Sequence, residues 1–291
     1  VALAGQNGNV VINNGGTLRG RVDFSGLTGT NNVTFNNTSS TSWHSTGTST
    51  FSAGNDTLTN TAPGLIATSA TTTFAFGADT GAGTKDTFTN QGLVIAGEFA
   101  GASQLSLTGL ENLNNSGTVV FGSLTGNAVS DNETNDRISA ATGTKFTASA
   151  GSLFVLDATL GNSTQTSCAA GPSVADCLSL AGGSVTGVQT LIRVNDTNTQ
   201  AATYNPTGIV LVDVNGGTSA AANFELETGS EWYVNKPVIG PVPPAWVTAD
   251  FVLSKFSSNE RSVIDETVVR AADAVETWVR EGIAACMNRY N

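Results

Sequence analysis

The sequence predicts an all-β chain: a right-handed parallel β-helix followed by a proline-rich linker and a C-terminal amphipathic helix. Three observations carry that expectation. Charged residues make up only 12% of the 291 residues, and Ser, Thr, Asn and Gly supply the polar surface instead. Those residue types suit strands, tight turns and stacked side chains better than long helices. From Gly8 to about Val234, short runs rich in Val, Ile, Leu, Phe and Thr alternate with turn residues, and no helical periodicity interrupts them. Strands without intervening helices argue against a doubly wound α/β class. Finally, an Asn-rich turn, a Gly and an apolar strand recur.

The strand-like runs follow in order. Asn9-Val10-Val11-Ile12, Thr72-Thr73-Phe74-Ala75-Phe76 and Leu93-Val94-Ile95 come first. Thr118-Val119-Val120-Phe121, Leu153-Phe154-Val155-Leu156 and Ile209-Val210-Leu211-Val212 follow. The recurring turn is seen at Asn13-Asn14-Gly15-Gly16-Thr17-Leu18, Asn90-Gln91-Gly92-Leu93-Val94 and Asn114-Asn115-Ser116-Gly117-Thr118-Val119. In a stacked architecture no coil buries its apolar face alone, and stacking makes one long core. A hydrophobic content of 39% keeps the chain among folded proteins. The domain expectation is a β-helix over 1–235, a linker over 236–256 and a helix over 257–291. The linker holds four prolines between Lys236 and Pro244, which favours an extended, semi-rigid chain. Ser257-Ser258-Asn259-Glu260 has the form of a capping box. Beyond it Ile264, Val268, Ala271, Val275 and Trp278, with Val263, Val279 and Ile283, fall at helical spacing. That stripe marks an assembly helix, because large exposed apolar patches mark interfaces.

Composition and motifs also exclude classes of function. The net charge of −11 repels nucleic acid and anionic headgroups, so no nucleic-acid partner is expected. No apolar run approaches the ~20 residues of a membrane span, so no transmembrane helix is expected. Ala2-Leu3-Ala4 is similar to the small-residue end of a secretory signal, without the apolar stretch that should precede it; an arbitrary fragment start fits as well. His44, beside Trp43, is the sole histidine, and a lone histidine without a partner is read as a surface or groove residue. No Gly-x-Ser-x-Gly elbow occurs. No catalytic residue and no metal ligand is assigned. The acidic cluster Asp131-Asn132-Glu133-Thr134-Asn135-Asp136 admits Ca²⁺ as the one cofactor to consider, but it lacks the Gly and distal Glu of an EF-hand loop. Asn32, in an Asn-x-Thr sequon, and the nearby Asn36-Asn37-Thr38 are read as turn and ladder residues. Cys168 and Cys177 bracket the loop AAGPSVAD, which suits a disulfide in an oxidising compartment. Free thiols and a metal site are the alternatives, and the metal lacks ligands.

Gly208-Ile209-Val210-Leu211-Val212-Asp213-Val214-Asn215-Gly216-Gly217-Thr218, followed by Ala222-Asn223-Phe224-Glu225-Leu226, resembles the C-terminal end of pertactin-like autotransporter passengers. Asn135-Asp136-Arg137-Ile138 resembles a turn-and-strand entry of the same family. The likeness is best over 130–235. It implies a fold-capping core at Val210, Val212, Phe224 and Leu226, a location outside a Gram-negative cell or on its surface, and an outer-membrane barrel that this sequence does not contain. The function expected is therefore a non-enzymatic structural or adhesive protein, binding itself, a cell surface or a polysaccharide. The alternative is a carbohydrate-active enzyme with paired carboxylates in a groove.

Overall fold

A computed structural model describes residues 3–78, 85–97, 103–122, 133–160, 164–168, 174–198 and 208–227, together with 272–275, 277 and 279–280. The chain divides into two compact units, Val1–Lys236 and Pro237–Asn291.

The strands of the first unit are β1 (Leu3–Gln6), β2 (Val10–Asn14), β3 (Leu18–Arg19), β4 (Val22–Gly26), β5 (Val33–Asn37), β6 (Trp43–Thr50), β7 (Thr57–Asn60), β8 (Leu65–Ala75), β9 (Thr87–Asn90), β10 (Leu93–Ala96) and β11 (Gln104–Thr108). They continue as β12 (Asn112–Asn115), β13 (Thr118–Phe121), β14 (Arg137–Ala140), β15 (Lys145–Ala148), β16 (Leu153–Ala158), β17 (Cys177–Ser179), β18 (Ser184–Gly187), β19 (Thr190–Asp196), β20 (Val212–Asp213) and β21 (Phe224–Leu226). One sheet runs in single file, β2-β5-β7-β9-β12-β15-β18. The other has fourteen strands and branches at β8. The first half of β8 pairs with β10, leading through β13, β16 and β19 to β21. Its second half pairs with β11, leading through β14 and β17 to β20.

These pairings correct the fold class. The described residues form mostly parallel sheets with few helices, one of them branched, rather than the uniform right-handed β-helix expected. With the helical residues of the second unit, the chain is of mixed α/β type. The lengths of β6 and β8, eight and eleven residues, explain the difference. Each is long enough to serve two rows of strands, so rows that regular coils would hold apart fuse into one sheet. Apolar runs bounded by turn residues reveal strands but not which of them merge.

The apolar core lies between the sheets. Phe35, Trp43 and Phe74 are fully buried, and their rings stack at centroid distances of 4.7 and 5.1 Å. Beside this core runs a column of asparagines. The Nδ2 of Asn14 donates to the Oδ1 of Asn37, Asn37 to Asn60, Asn60 to Asn90 and Asn90 to Asn115, each at 2.8 Å. The partners stand 23, 23, 30 and 25 residues apart. Asn37 and Asn60 also donate to the carbonyls of Leu65 and Leu93, each at 3.1 Å. At Asn115 the column changes chemistry: its amide donates to Ser152 Oγ at 2.8 Å, and Ser152 meets Thr190 Oγ1 at 3.0 Å.

A buried amide left without partners costs about 1–3 kcal/mol per group. Asn60→Ala strands the Asn90 acceptor and the Leu93 carbonyl, so it should lower stability by about 2–4 kcal/mol. Asn14→Ala, at the partly exposed end of the column, should cost about 1 kcal/mol or less. Urea unfolding midpoints of the two variants test this; equal losses would show that the column is not a buried network.

Candidate functional site

The residues singled out from the sequence fall into separate places. Trp43 belongs to the core stack, and its indole N–H donates to the Gly20 carbonyl at 3.1 Å. His44 is buried at the next position, in register with Arg19 on one side and Ala67 on the other. Trp43 is thus a packing residue, and the pair forms no exposed acid–base site. Of the acidic cluster, Asp131 and Asn132 lie outside the described residues. Asp136 is fully buried and accepts the Ser103 amide at 2.6 Å, which gives that oxygen a structural task. Among the described residues no group of three or more His, Cys, Asp or Glu side chains converges as metal ligands do.

Cys168 and Cys177 are joined by a disulfide with Cα atoms 5.7 Å apart. The bond fastens residues 164–168 to the start of β17. Around it the Gln165 side chain donates to the carbonyls of Ala175 and Val210 and accepts the amides of Val174 and Ala175. Asp213 accepts the Cys168 amide at 3.0 Å. This gathering fastens the start of β17 to β20 and the residues that enter it. Cys286 lies outside the described residues.

At the end of the sheets, Val212, Phe224 and Leu226 are partly buried against the core. Val210 is half-buried, while its neighbours Ile209 and Leu211 enter the core. Alternation sets this parity: successive side chains of an extended chain point to opposite faces. The Phe224 ring stacks with Phe146 at 6.4 Å.

The outer face of the β10-β13-β16-β19 arm carries a groove of about 570 Å³. Leu93, Thr118 and Leu153 lie in register along its floor, and Val155 and Arg193 stand opposite each other on β16 and β19. Arg193 forms a two-point ion pair with Glu227. That pairing holds the Glu227 carboxyl below its usual range and raises the Arg193 guanidinium. Both side chains are solvent-accessible, so the pair adds little to stability. The groove was not legible in the sequence, because its leucines sit in runs that read as core strands. Among the described residues no pair of close carboxylates lines it, so they do not form the paired-carboxylate geometry of a glycoside hydrolase.

In the second unit, residues 272–275, 277 and 279–280 are helical. Val275 and Val279 are exposed and Thr277 is buried. Ile264, Val268, Ala271 and Trp278 lie outside the described residues, as does the 236–256 linker. Among the described residues no helix is long and apolar enough to cross a membrane.

Comparison with known proteins finds a family model whose match falls largely in this second unit. The sequence model of the peptidyl-tRNA hydrolase family matches residues 232–291. A peptidyl-tRNA hydrolase of Rhodopirellula baltica is 36% identical over 77 residues, 26% of this chain and 40% of the relative. One of Chloroflexus aggregans is 51% identical over 53 residues, 18% of this chain and 28% of the relative. One of Streptomyces coelicolor is 32% identical over 120 residues, 39% of this chain and 60% of the relative. The chain thus spans less than two thirds of the length of these relatives. No solved structure matches it.

These matches overturn the reading built on the pertactin-like resemblance. The relatives are named for a hydrolytic reaction on a tRNA-bearing substrate. The expected autotransporter family, adhesive or polysaccharide-directed function, non-enzymatic character and extracellular location are corrected accordingly. So are the expected partners: self-association, a cell surface and an outer-membrane barrel, with nucleic acid excluded. The physical reason is that the resemblance rested on β-strand composition and short turn motifs over 130–235, which many parallel-sheet chains share. The net charge misled because it averages two unlike segments.

Two outcomes test the geometry of the first unit. Thiol titration of the denatured, unreduced chain should give one reactive thiol, Cys286, and three after reduction. Phe224→Ala should cost about 1–2 kcal/mol, against about 3–5 kcal/mol for the fully buried Trp43→Ala, since the cost follows burial. Thermal unfolding of both variants checks the ranking.

Proposed function

We propose that this chain acts in the hydrolysis of peptidyl-tRNA, with residues 232–291 contributing the part of a peptidyl-tRNA hydrolase that they match. The match of that whole stretch to the family carries the proposal, supported by 51% identity over 53 residues to the Chloroflexus aggregans relative.

The charge distribution agrees with it. Six of the twelve Lys and Arg residues lie in 232–291 beside seven Asp and Glu, so that stretch is nearly neutral. Residues 1–231 carry six basic residues against sixteen acidic ones. A polyanionic tRNA is repelled by the strand-rich unit and far less by the second unit, where Arg261, Arg270, Arg280 and Arg289 recur through the sequence. The same stretch contains Trp232, Tyr233, Trp246, Phe251 and Phe256, and aromatic rings stack on unpaired bases. The reaction breaks the ester between peptide and tRNA. Water attacks the carbonyl carbon, a base takes the water proton, hydrogen-bond donors hold the developing oxyanion, and on collapse the ester C–O bond breaks and the same proton passes to the departing ribose oxygen of the tRNA. The matched stretch contains no histidine, so a base within it comes from its carboxylates, lysines, tyrosines or Cys286.

The test is release of labelled peptide from peptidyl-tRNA by the full chain. Release should exceed the uncatalysed rate and should weaken as salt rises. Arg270→Glu with Arg280→Glu should reduce tRNA binding and flatten its salt dependence. A chain that neither binds peptidyl-tRNA nor releases peptide would overturn the proposal.

A further inference from the structure

Strands β12, β13 and β14 follow one another in the chain, and each lies between two parallel neighbours. β12 stands between β9 and β15, β13 between β10 and β16, and β14 between β11 and β17. One inward side chain from each meets its counterparts in register. Leu113 stands between Phe88 and Phe146. Val119 stands between Val94 and Phe154, and Ile138 between Leu105 and Leu178. The middle layer thus sets three aliphatic side chains beside layers that hold one and two phenylalanine rings at the same positions. The ring contacts follow this pattern. One group includes Phe74 and Phe88, edge to face at 6.4 Å, and another joins Phe146 to Phe154 at 5.7 Å. Leu113 lies between the two groups, and an aliphatic chain fills less of that section of core than a ring would. These side chains line a cavity of about 30 Å³. Leu113 is 8% accessible, against 2% for Phe88 and 0% for Phe146, which is consistent with an internal space beside it.

The backbone keeps this space from closing. β9, β12 and β15 pair residue for residue, as do β10, β13 and β16. Their separation of about 4.8 Å is set by backbone hydrogen bonds, so the middle strands cannot move inward without breaking both ladders. The space is also poor in partners for water. The polar residues on its wall are Asn90 and Asn115, and both N–H groups of each amide are committed. Asn90 donates to the Asn115 Oδ1 at 2.8 Å and the Thr118 carbonyl at 3.2 Å. Asn115 donates to Ser152 Oγ at 2.8 Å and the Gly117 carbonyl at 3.1 Å. Each Oδ1 already accepts the amide of the preceding asparagine. A buried water needs two to four polar partners, and about 10–15 Å³ suffices to hold one; apolar cavities instead stay dry and take apolar ligands.

We propose that the cavity between Leu113, Val119 and Ile138 is a binding site for one small apolar molecule, of the size of a xenon atom or a short hydrocarbon. Such a ligand meets side chains that have no partner across the space, and water gives up nothing to admit it. A ligand that binds the folded chain alone raises its stability, so occupation of the cavity stabilises the first unit.

Methyl spectra of the intact chain under rising xenon pressure test this. Shifts of the Leu113, Val119 and Ile138 methyls should change and saturate. Those of Val11, exposed on β2, and of Val22, buried on β4, should not saturate. The thermal midpoint should be higher under xenon than under helium at the same pressure. Leu113→Phe, which continues the row of Phe88 and Phe146, should abolish the saturable shift at the remaining methyls. Val119→Ile, which adds one methylene to the wall, should weaken it, and this variant stays readable even where Leu113→Phe fails to fold. Shifts that grow linearly and alike at all methyls, magnetisation transfer from water to the Leu113 and Ile138 methyls, or a xenon response unchanged in Val119→Ile would each overturn the proposal.

Discussion

The first unit depends on the asparagine column from Asn14 to Asn115. Parallel strands placed one above another satisfy their backbones mutually but leave the chain free at each corner to slip by a residue. A slip of one residue would turn every inward side chain outward. The column removes that freedom, because the Nδ2 of Asn37, Asn60 and Asn90 meets the Oδ1 of the next asparagine and also the carbonyl at the start of the strand after that asparagine, at Leu65, Leu93 and Thr118. Both contacts hold only when Phe35, Leu58, Phe88 and Leu113 stand in register on neighbouring strands. The polar column therefore fixes the register of the apolar one. A fully satisfied buried network specifies a unique arrangement in a way that apolar packing alone does not.

The same constraint explains the glycines that follow it. A Cβ at Gly92 would lie 2.2 Å from the Gly64 carbonyl oxygen, and one at Gly117 would lie 2.2 Å from that of Gly92. The chain turns so tightly after each asparagine that one corner rests on the backbone of the corner below. The repeat seen in the sequence as Asn, then Gly, then an apolar strand is the trace of these two requirements. The strand runs, the turn residues and that repeat were legible because each reflects a local need. The fusion of rows through β6 and β8 was not legible, since it depends on which distant strands lie beside their two halves. The buried aspartates escaped for a related reason: Asp136 sits in an acidic stretch that reads as a solvated turn, and only tertiary placement shows it enclosed.

The second unit shows a different limit. Its helical spacing, its capping box and its proline-rich approach are features of local physics, and helical residues are found at 272–275, 277 and 279–280. Those features constrain shape and leave chemistry open. An amphipathic stripe with Val275 and Trp278 suits a connector, an interface or one face of an enzyme equally well. What separates these readings is the order of residues along the whole stretch, which the match to peptidyl-tRNA hydrolases supplies and periodicity does not. The bulk charge concealed it further, because the acidic excess of residues 1–231 outweighs a nearly neutral remainder.

The two units therefore obey different rules. The first is held by register, through buried asparagine amides, glycine corners and buried aspartates that accept backbone amides. Such a body gains stability from repetition and carries little chemistry on its surface. The Leu93 and Leu153 groove offers apolar contact, and Arg193, the cation beside it, is already paired with Glu227. Residues 232–291 hold six of the chain's twelve Lys and Arg residues together with several aromatic residues. Hydrolysis of a tRNA ester needs a cationic surface for the phosphates, a polarised carbonyl and an activated water. Residues 232–291 carry far less acidic excess than residues 1–231, so the first of these requirements meets less repulsion there, which is where the proposed activity is assigned.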